Sequence, residues 1–130
     1  MPYKRILLKL SGEALMGNRT HGVDPVRIKA YCEEINELVK TGVEIAIVIG
    51  GGNIFRGSTA DQYGFERTPA DNIGILSTCI NGLALHQVLL SKGRKARVMS
   101  SRNFVPLSGF LNLSVDSLFS SVANSAFANL

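Results

Sequence analysis

Three short segments carry residue types and spacings suited to handling phosphate. The first is Lys9-Leu10-Ser11-Gly12. A lysine near the C-terminal end of an apolar strand is costly unless its ammonium reaches an anion or water. The small Ser-Gly turn beside it lets backbone N–H groups approach a phosphate. The same residues also suit a lysine that snorkels to solvent beside an ordinary turn. The second segment is Gly50-Gly51-Gly52-Asn53-Ile54-Phe55-Arg56-Gly57. Three consecutive glycines permit close backbone approach to a ligand, and their N–H groups can cradle phosphate oxygens. Arg56 can pair with the same oxygens through two donors. The alternative is a flexible loop that merely needs glycine. No G-x-G-x-x-G is present. Gly52 and Gly57 are spaced as in a P-loop, but Ser58-Thr59 follow where that loop requires lysine. The third segment is Arg67-Thr68-Pro69-Ala70-Asp71. Asp71 suits the N-cap of a helix. Its carboxylate could instead accept hydrogen bonds from a ribose hydroxyl pair, with Arg67 nearby for phosphate.

The other polar residues form no second constellation. His21 and His86 have no partner at metal or triad spacing. Glu33, Glu34 and Glu37 fall on the polar face of a helix. Arg94, Lys95 and Arg97 make a basic run with no interleaved aromatics, so no nucleic-acid partner is expected. Cys32 and Cys79 match no metal-ligand spacing and are too few for a disulfide framework. They are expected to be buried, reduced thiols of a cytoplasmic protein.

The elements that must position these segments follow from periodicity. Lys4 to Leu10, with three consecutive apolar residues, reads as a strand buried on both faces. Gly17-Asn18-Arg19-Thr20-His21-Gly22 is a polar loop. Asp24-Pro25 opens a helix, with aspartate as cap and proline at the first position. Its apolar face is Ile28, Tyr31, Cys32, Ile35, Leu38 and Val39, and Thr41-Gly42 stops it. Glu44 to Ile49 is a second strand. Strand, helix, strand with short links is a βαβ unit, so the sheet is expected to be parallel. Residues 58–70 read as loop or a short helical piece. A second long helix is expected from Asp71 to Leu90, with Ile73, Leu76, Ile80, Leu83 and Ala84 on its buried face. Ala96 to Ser100 reads as a third short strand.

Composition sets the outer bounds. The chain has 130 residues, 45% hydrophobic and 18% charged, with a net charge of +4. That excludes intrinsic disorder and suits a partner carrying phosphates. The sequence opens on no signal-peptide pattern, and no membrane span is expected. All 14 lysines and arginines, with nine of the ten acidic residues, fall in residues 1–102. Residues 103–130 hold one charge, Asp116, and seven serines lie in the last 30 positions. The chain therefore divides into unlike parts at residue 102.

Taken in order, Tyr3 to Leu15, Gly42 to Gly57 and the run Ala70-Asp71-Asn72-Ile73-Gly74 resemble the N-terminal half of the bacterial UMP kinase (uridylate kinase) family. That family lies within the amino acid kinase superfamily. The resemblance covers residues 3–100. It implies an α/β fold, a three-layer αβα sandwich with a mainly parallel sheet, here incomplete. It also implies ATP-dependent phosphoryl transfer to UMP, giving UDP, with Mg²⁺ accompanying ATP. Lys9, Leu10, Ser11, Gly12, Gly52 and Arg56 match positions that contact ATP or the transferring phosphoryl group, Lys9 and Arg56 being the catalytic pair. Gly51, Arg67 and Asp71 match the UMP side. Gly17, Asn18, Arg19, Thr20, His21 and Gly22 match a loop where members bind allosteric GTP. The family forms cytosolic homohexamers.

After Ser100 the resemblance ends. The family's Gly-Thr-Gly-Asn-Pro-type loop, its base-binding domain and its metal-organising acid are not found in residues 101–130. The expectation is a truncated or frame-shifted copy: a kinase-like part at 1–102, a tail at 103–130 without family resemblance, and little or no turnover alone. Two other functions stay open. One is another small-molecule kinase of the superfamily, acting on acetylglutamate or carbamate. The other is a nucleotide-binding relative without turnover.

Overall fold

Short-range signals around Asp24 and Gly42 delimit the first helix. A computed structural model of the chain describes residues 3–100. The chain divides into two compact units, Met1–Lys95 and Ala96–Leu130. In the first unit, helix α1 runs Pro25–Lys40. Asp24 Oδ1 accepts from the N–H groups of Val26 (2.8 Å) and Arg27 (2.9 Å), so two otherwise orphaned donors are satisfied. At the other end Thr41 Oγ1 donates to Leu38 O at 2.6 Å, and Gly42 takes the left-handed conformation (φ 87°) that ends the helix.

Strands β1 (Arg5–Leu10) and β2 (Glu44–Ile49) flank α1 and pair in parallel, from Arg5 opposite Glu44 to Leu10 opposite Ile49. The expected βαβ unit is therefore present. Burial of β1 differs from expectation. It alternates: Ile6, Leu8 and Leu10 are half-buried, whereas Arg5, Leu7 and Lys9 are exposed. Side chains of a strand alternate between faces. Helices α1 and α2 contact each other and β2, while Leu7 and Val48 remain 46% and 49% exposed. The described residues thus supply an incomplete α/β arrangement.

A 3₁₀ turn, Gly12–Leu15, follows β1, and a longer 3₁₀ segment, Gly57–Tyr63, precedes α2. The latter is the short helical piece expected within 58–70. Phe55, Tyr63 and Phe65 pack around it with ring centroids 5.3–6.5 Å apart.

Helix α2 spans Arg67–Ser91, starting four residues before the expected Asp71. Asp71 is therefore not its cap. Glu66 occupies that position without a side-chain cap bond, and Pro69 lies in the first turn, where its missing N–H breaks no helical bond. The buried face also differs. It is the row Ala70, Ser77, Asn81, Leu85 and Leu89, while Leu76 (45%) and Ile80 (51%) are exposed. A helix apolar on nearly every side offers no unique stripe, so tertiary hydrogen bonds choose the face. By length and apolar composition alone α2 would be long enough to cross a membrane. Its Ser77–Leu89 row is instead packed inside this unit.

Just past the end of α2, Lys92 Nζ reaches Glu33 Oε1 of α1 at 2.9 Å and Arg94 donates to Asn36 of α1. The hydrogen bond and charge of Lys92 hold the Glu33 carboxyl below the usual range. Cys32 is buried and burial pushes its thiol up, whereas Cys79 is half-buried.

Leu15 is fully buried where the first 3₁₀ turn meets α1 and α2. Leu15→Ala is expected to lower stability by about 2–5 kcal/mol, through lost transfer energy and the cavity left behind. Urea unfolding measures this, and an unchanged midpoint would show that the turn carries no core.

In the second unit, Ala96 to Ser100 form no strand, correcting the expectation for this run. The sheet of described residues contains β1 and β2 alone. The expected boundary at 102 and the tail 103–130 lie outside the described residues.

Candidate functional site

Parallel pairing in register ends β1 and β2 at the same level, so the two glycine-containing segments leave the sheet side by side. Gly50 N donates to Leu10 O at 3.0 Å and joins the two exits. Ser11 Oγ accepts from Ala14 N and caps the first 3₁₀ turn. The backbones approach closely. A Cβ on Gly12 would lie 2.5 Å from Asn53 Oδ1 and 2.7 Å from Gly52 N. One on Gly51 would lie 2.7 Å from Ser77 Cβ, and one on Gly52 would lie 2.6 Å from Glu13 Oε1. Gly12 and Gly51 are required by contact with backbone of the chain itself, a reason that spacing alone does not reveal, whereas the neighbour of Gly52 is the movable end of Glu13.

Every carbonyl of the loop Gly50–Asn53 is occupied. Gly50 O accepts from Asn81 Nδ2 (2.8 Å), and Gly51 O accepts from Ile54 N (3.0 Å) and Phe55 N (3.1 Å). Gly52 O accepts from Arg56 Nε (3.3 Å), and Asn53 O accepts from Gly22 N (2.7 Å). Among the described residues the N–H groups of Gly51 and Gly52 donate no hydrogen bond. Engaged carbonyls beside unengaged amides leave the loop's donors for an anion. Arg56 adds charge there. Its guanidinium reaches Glu13 Oε1 at 2.7 Å, and both side chains remain accessible to solvent.

The structure therefore brings together Leu10, Ser11, Gly12, Gly51, Gly52 and Arg56. Lys9 is one residue from the end of β1, opposite Val48, exposed and without an ion pair among the described residues. Arg67 and Asp71 lie in the first turns of α2, exposed and paired with each other at 3.8 Å, with no hydrogen bond to the glycine loop. The loop Gly17–Gly22 is anchored at its end. Asn53 Nδ2 donates to Gly22 O at 2.8 Å while Gly22 N donates to Asn53 O. Its Arg19 and His21 are exposed, and His21 Nδ1 lies 3.2 Å from Thr20 Oγ1. Asn18 and Gly17 are exposed in the same loop.

Glu13, Asn53, Ser77 and Asn81 had no assigned role from sequence. The signal for the last two was a Ser-Asn pair four residues apart within a mostly apolar helix, the spacing of one helical row. Among the described residues no three His, Cys, Asp or Glu side chains group to hold a metal ion. Glu13, the one acid at the loop, is engaged by Arg56. The described residues therefore do not make a metal cage.

The model of the amino acid kinase family matches residues 4–126. The chain is 49% identical over 110 residues to a uridylate kinase of Parabacteroides distasonis, covering 85% of this chain and 47% of that protein. It is 48% identical over 110 residues to a uridylate kinase of Porphyromonas gingivalis, covering 85% and 46%. Among solved structures, the UMP kinase of Bacillus anthracis superposes with a TM-score of 0.76 at 47% identity, over 82% of this chain and 44% of that one. The UMP kinase of Ureaplasma parvum superposes with a TM-score of 0.79 at 32% identity, over 99% and 52%. The chain spans about half the length of the curated relatives it matches.

Proposed function

The chain belongs to the amino acid kinase family, and from that premise we propose that it carries the phosphate-handling part of a UMP kinase, which transfers the γ-phosphoryl group of ATP to UMP and yields UDP. The observation that carries this reading is the loop Gly50–Asn53, with all its carbonyls engaged, beside Arg56 and the Ser11-Gly12 turn.

Phosphoryl transfer asks little covalent chemistry of a protein. It needs two nucleotides held in line and the charge on the transferring group neutralised. In this reading Lys9 and Arg56 supply the cations. The turn Leu10-Ser11-Gly12 and the Gly52 amide hold the ATP phosphates. Gly51, Arg67 and Asp71 face UMP, Asp71 through the ribose hydroxyls. ATP competes with Glu13 for Arg56, so that guanidinium is held over the loop before the ligand arrives. Mg²⁺ comes with ATP, and none of the described residues is assigned to it. The same reading places GTP as an effector at Gly17–Gly22 and the protein in the cytoplasm, with the homohexamer as the family assembly.

Calorimetry with ATP and a coupled ADP-release assay test the reading. ATP should bind the 130-residue chain. Its ADP release with UMP, ATP and Mg²⁺ should stay near background. Absence of ATP binding would refute the proposal, and turnover with acetylglutamate or carbamate in preference to UMP would assign another acceptor.

A further inference from the structure

We propose that Asn53 and Asn81 are positioning residues for the glycine loop, holding its carbonyls inward so that its amides face the nucleotide phosphates. The proposal rests on the nucleotide-binding reading and deepens it. Both side chains are almost wholly buried, at 3% and 0% exposure. Their carboxamides pair reciprocally. Asn53 Nδ2 donates to Asn81 Oδ1 at 3.1 Å, and Asn81 Nδ2 donates to Asn53 Oδ1 at 2.7 Å. Each nitrogen spends its second hydrogen on a backbone carbonyl, Gly22 O for Asn53 and Gly50 O for Asn81, both at 2.8 Å.

Each carboxamide has two N–H donors, so every donor of the pair is used and both oxygens accept. Aspartate at either position would lack the donors, and leucine would lack both functions. A buried amide is tolerated only when so satisfied. The consequence for the loop follows from peptide planarity. The C=O of one residue and the N–H of the next point in opposite directions within one rigid plane. Asn81, by gripping Gly50 O, therefore aims the Gly51 N–H away from α2. Asn53 carries the same constraint to Gly22, so the two loops share one support.

The test uses the full ¹⁵N-labelled chain. Amide exchange is read at Gly22, with Ile35 of α1 as a control for the fold, alongside titration with ATP and inorganic tripolyphosphate. Asn81→Asp should speed exchange at Gly22, which Asn81 does not touch, by about tenfold while Ile35 changes less than about twofold. ATP and tripolyphosphate should each bind about tenfold more weakly. Protonation returns one donor to the introduced carboxyl, and burial raises its pKa. ATP affinity relative to wild type should therefore recover towards about pH 5, with no such recovery in Asn81→Ala. Unchanged Gly22 exchange, or unchanged ATP affinity, overturns the proposal. If Asn81→Asp does not fold, Asn81→Ser, smaller and uncharged, is held to the same exchange and affinity criteria. If the wild-type chain binds neither probe, the nucleotide reading falls, and the Gly22 exchange alone decides whether the pair sets the loop.

Discussion

Gly12→Ala is expected to destabilise the chain by about 1–3 kcal/mol, towards the upper end, because the added methyl has nowhere to go. Its nearest neighbours would be Asn53 Oδ1 at 2.5 Å, Gly52 N at 2.7 Å and Gly50 O at 3.0 Å. Two of these atoms are backbone, and the third belongs to a buried side chain whose hydrogen bonds fix its place. Neither a rotamer change nor a small loop shift relieves the clash without breaking the Asn53–Asn81 pair. Gly57→Ala is the matched control. Nothing lies within 4 Å of its Cβ position, and its φ is not positive. Its effect should stay within about 0.5 kcal/mol. Urea unfolding of both variants decides the matter, and equal midpoints would show that the two strand exits are not in contact.

Lys9→Met should do the reverse, leaving stability almost unchanged while weakening ATP binding by about 10–100-fold. Lys9 is exposed and makes no ion pair among the described residues, so its removal strands no partner. A charge-assisted hydrogen bond to phosphate contributes about 1.5–3 kcal/mol, which corresponds to that range of affinity. Methionine keeps the length and apolar stem of the side chain. Calorimetric titration with ATP, alongside thermal unfolding, separates the two effects. An unchanged dissociation constant would remove Lys9 from the phosphate site. Equal losses of affinity and stability would make it structural.

What could be read in advance was what short-range chemistry determines. Asp24-Pro25 and Thr41-Gly42 bracket α1 because capping needs only neighbouring residues. Glu44–Ile49 is a strand within its expected limits, and the strand–helix–strand order implies parallel pairing. The start and buried face of α2 were not legible. Pro69 reads as a helix boundary yet is tolerated in a first turn, and the buried row is selected by Asn81 reaching Gly50, thirty-one residues away. The two-sided burial expected of β1 failed for a related reason. Consecutive apolar residues report what a strand can bury, whereas Leu7 remains exposed among the described residues. At the candidate site, the strand-end segments were legible because parallel strands deliver their C-terminal loops to one edge. Glu13 was not, because its relation to Arg56 and Gly52 arises only when the two exits meet.

The in-register pairing of β1 with β2 also bears on how the chain folds. Each strand residue meets a partner thirty-nine positions along the chain, as Arg5 meets Glu44. Closing a loop of that length is entropically unfavourable, and the sheet repays the closure only once several such pairs form together. Helix α1 shortens the span that must be searched, since its sixteen residues rise about 24 Å as one rigid segment. Contacts within α1 can therefore form early, whereas the junction of Gly12 with Gly50–Asn53 belongs to the last, most non-local stage. Weakening α1 should slow folding, while changes confined to that junction should mainly speed unfolding.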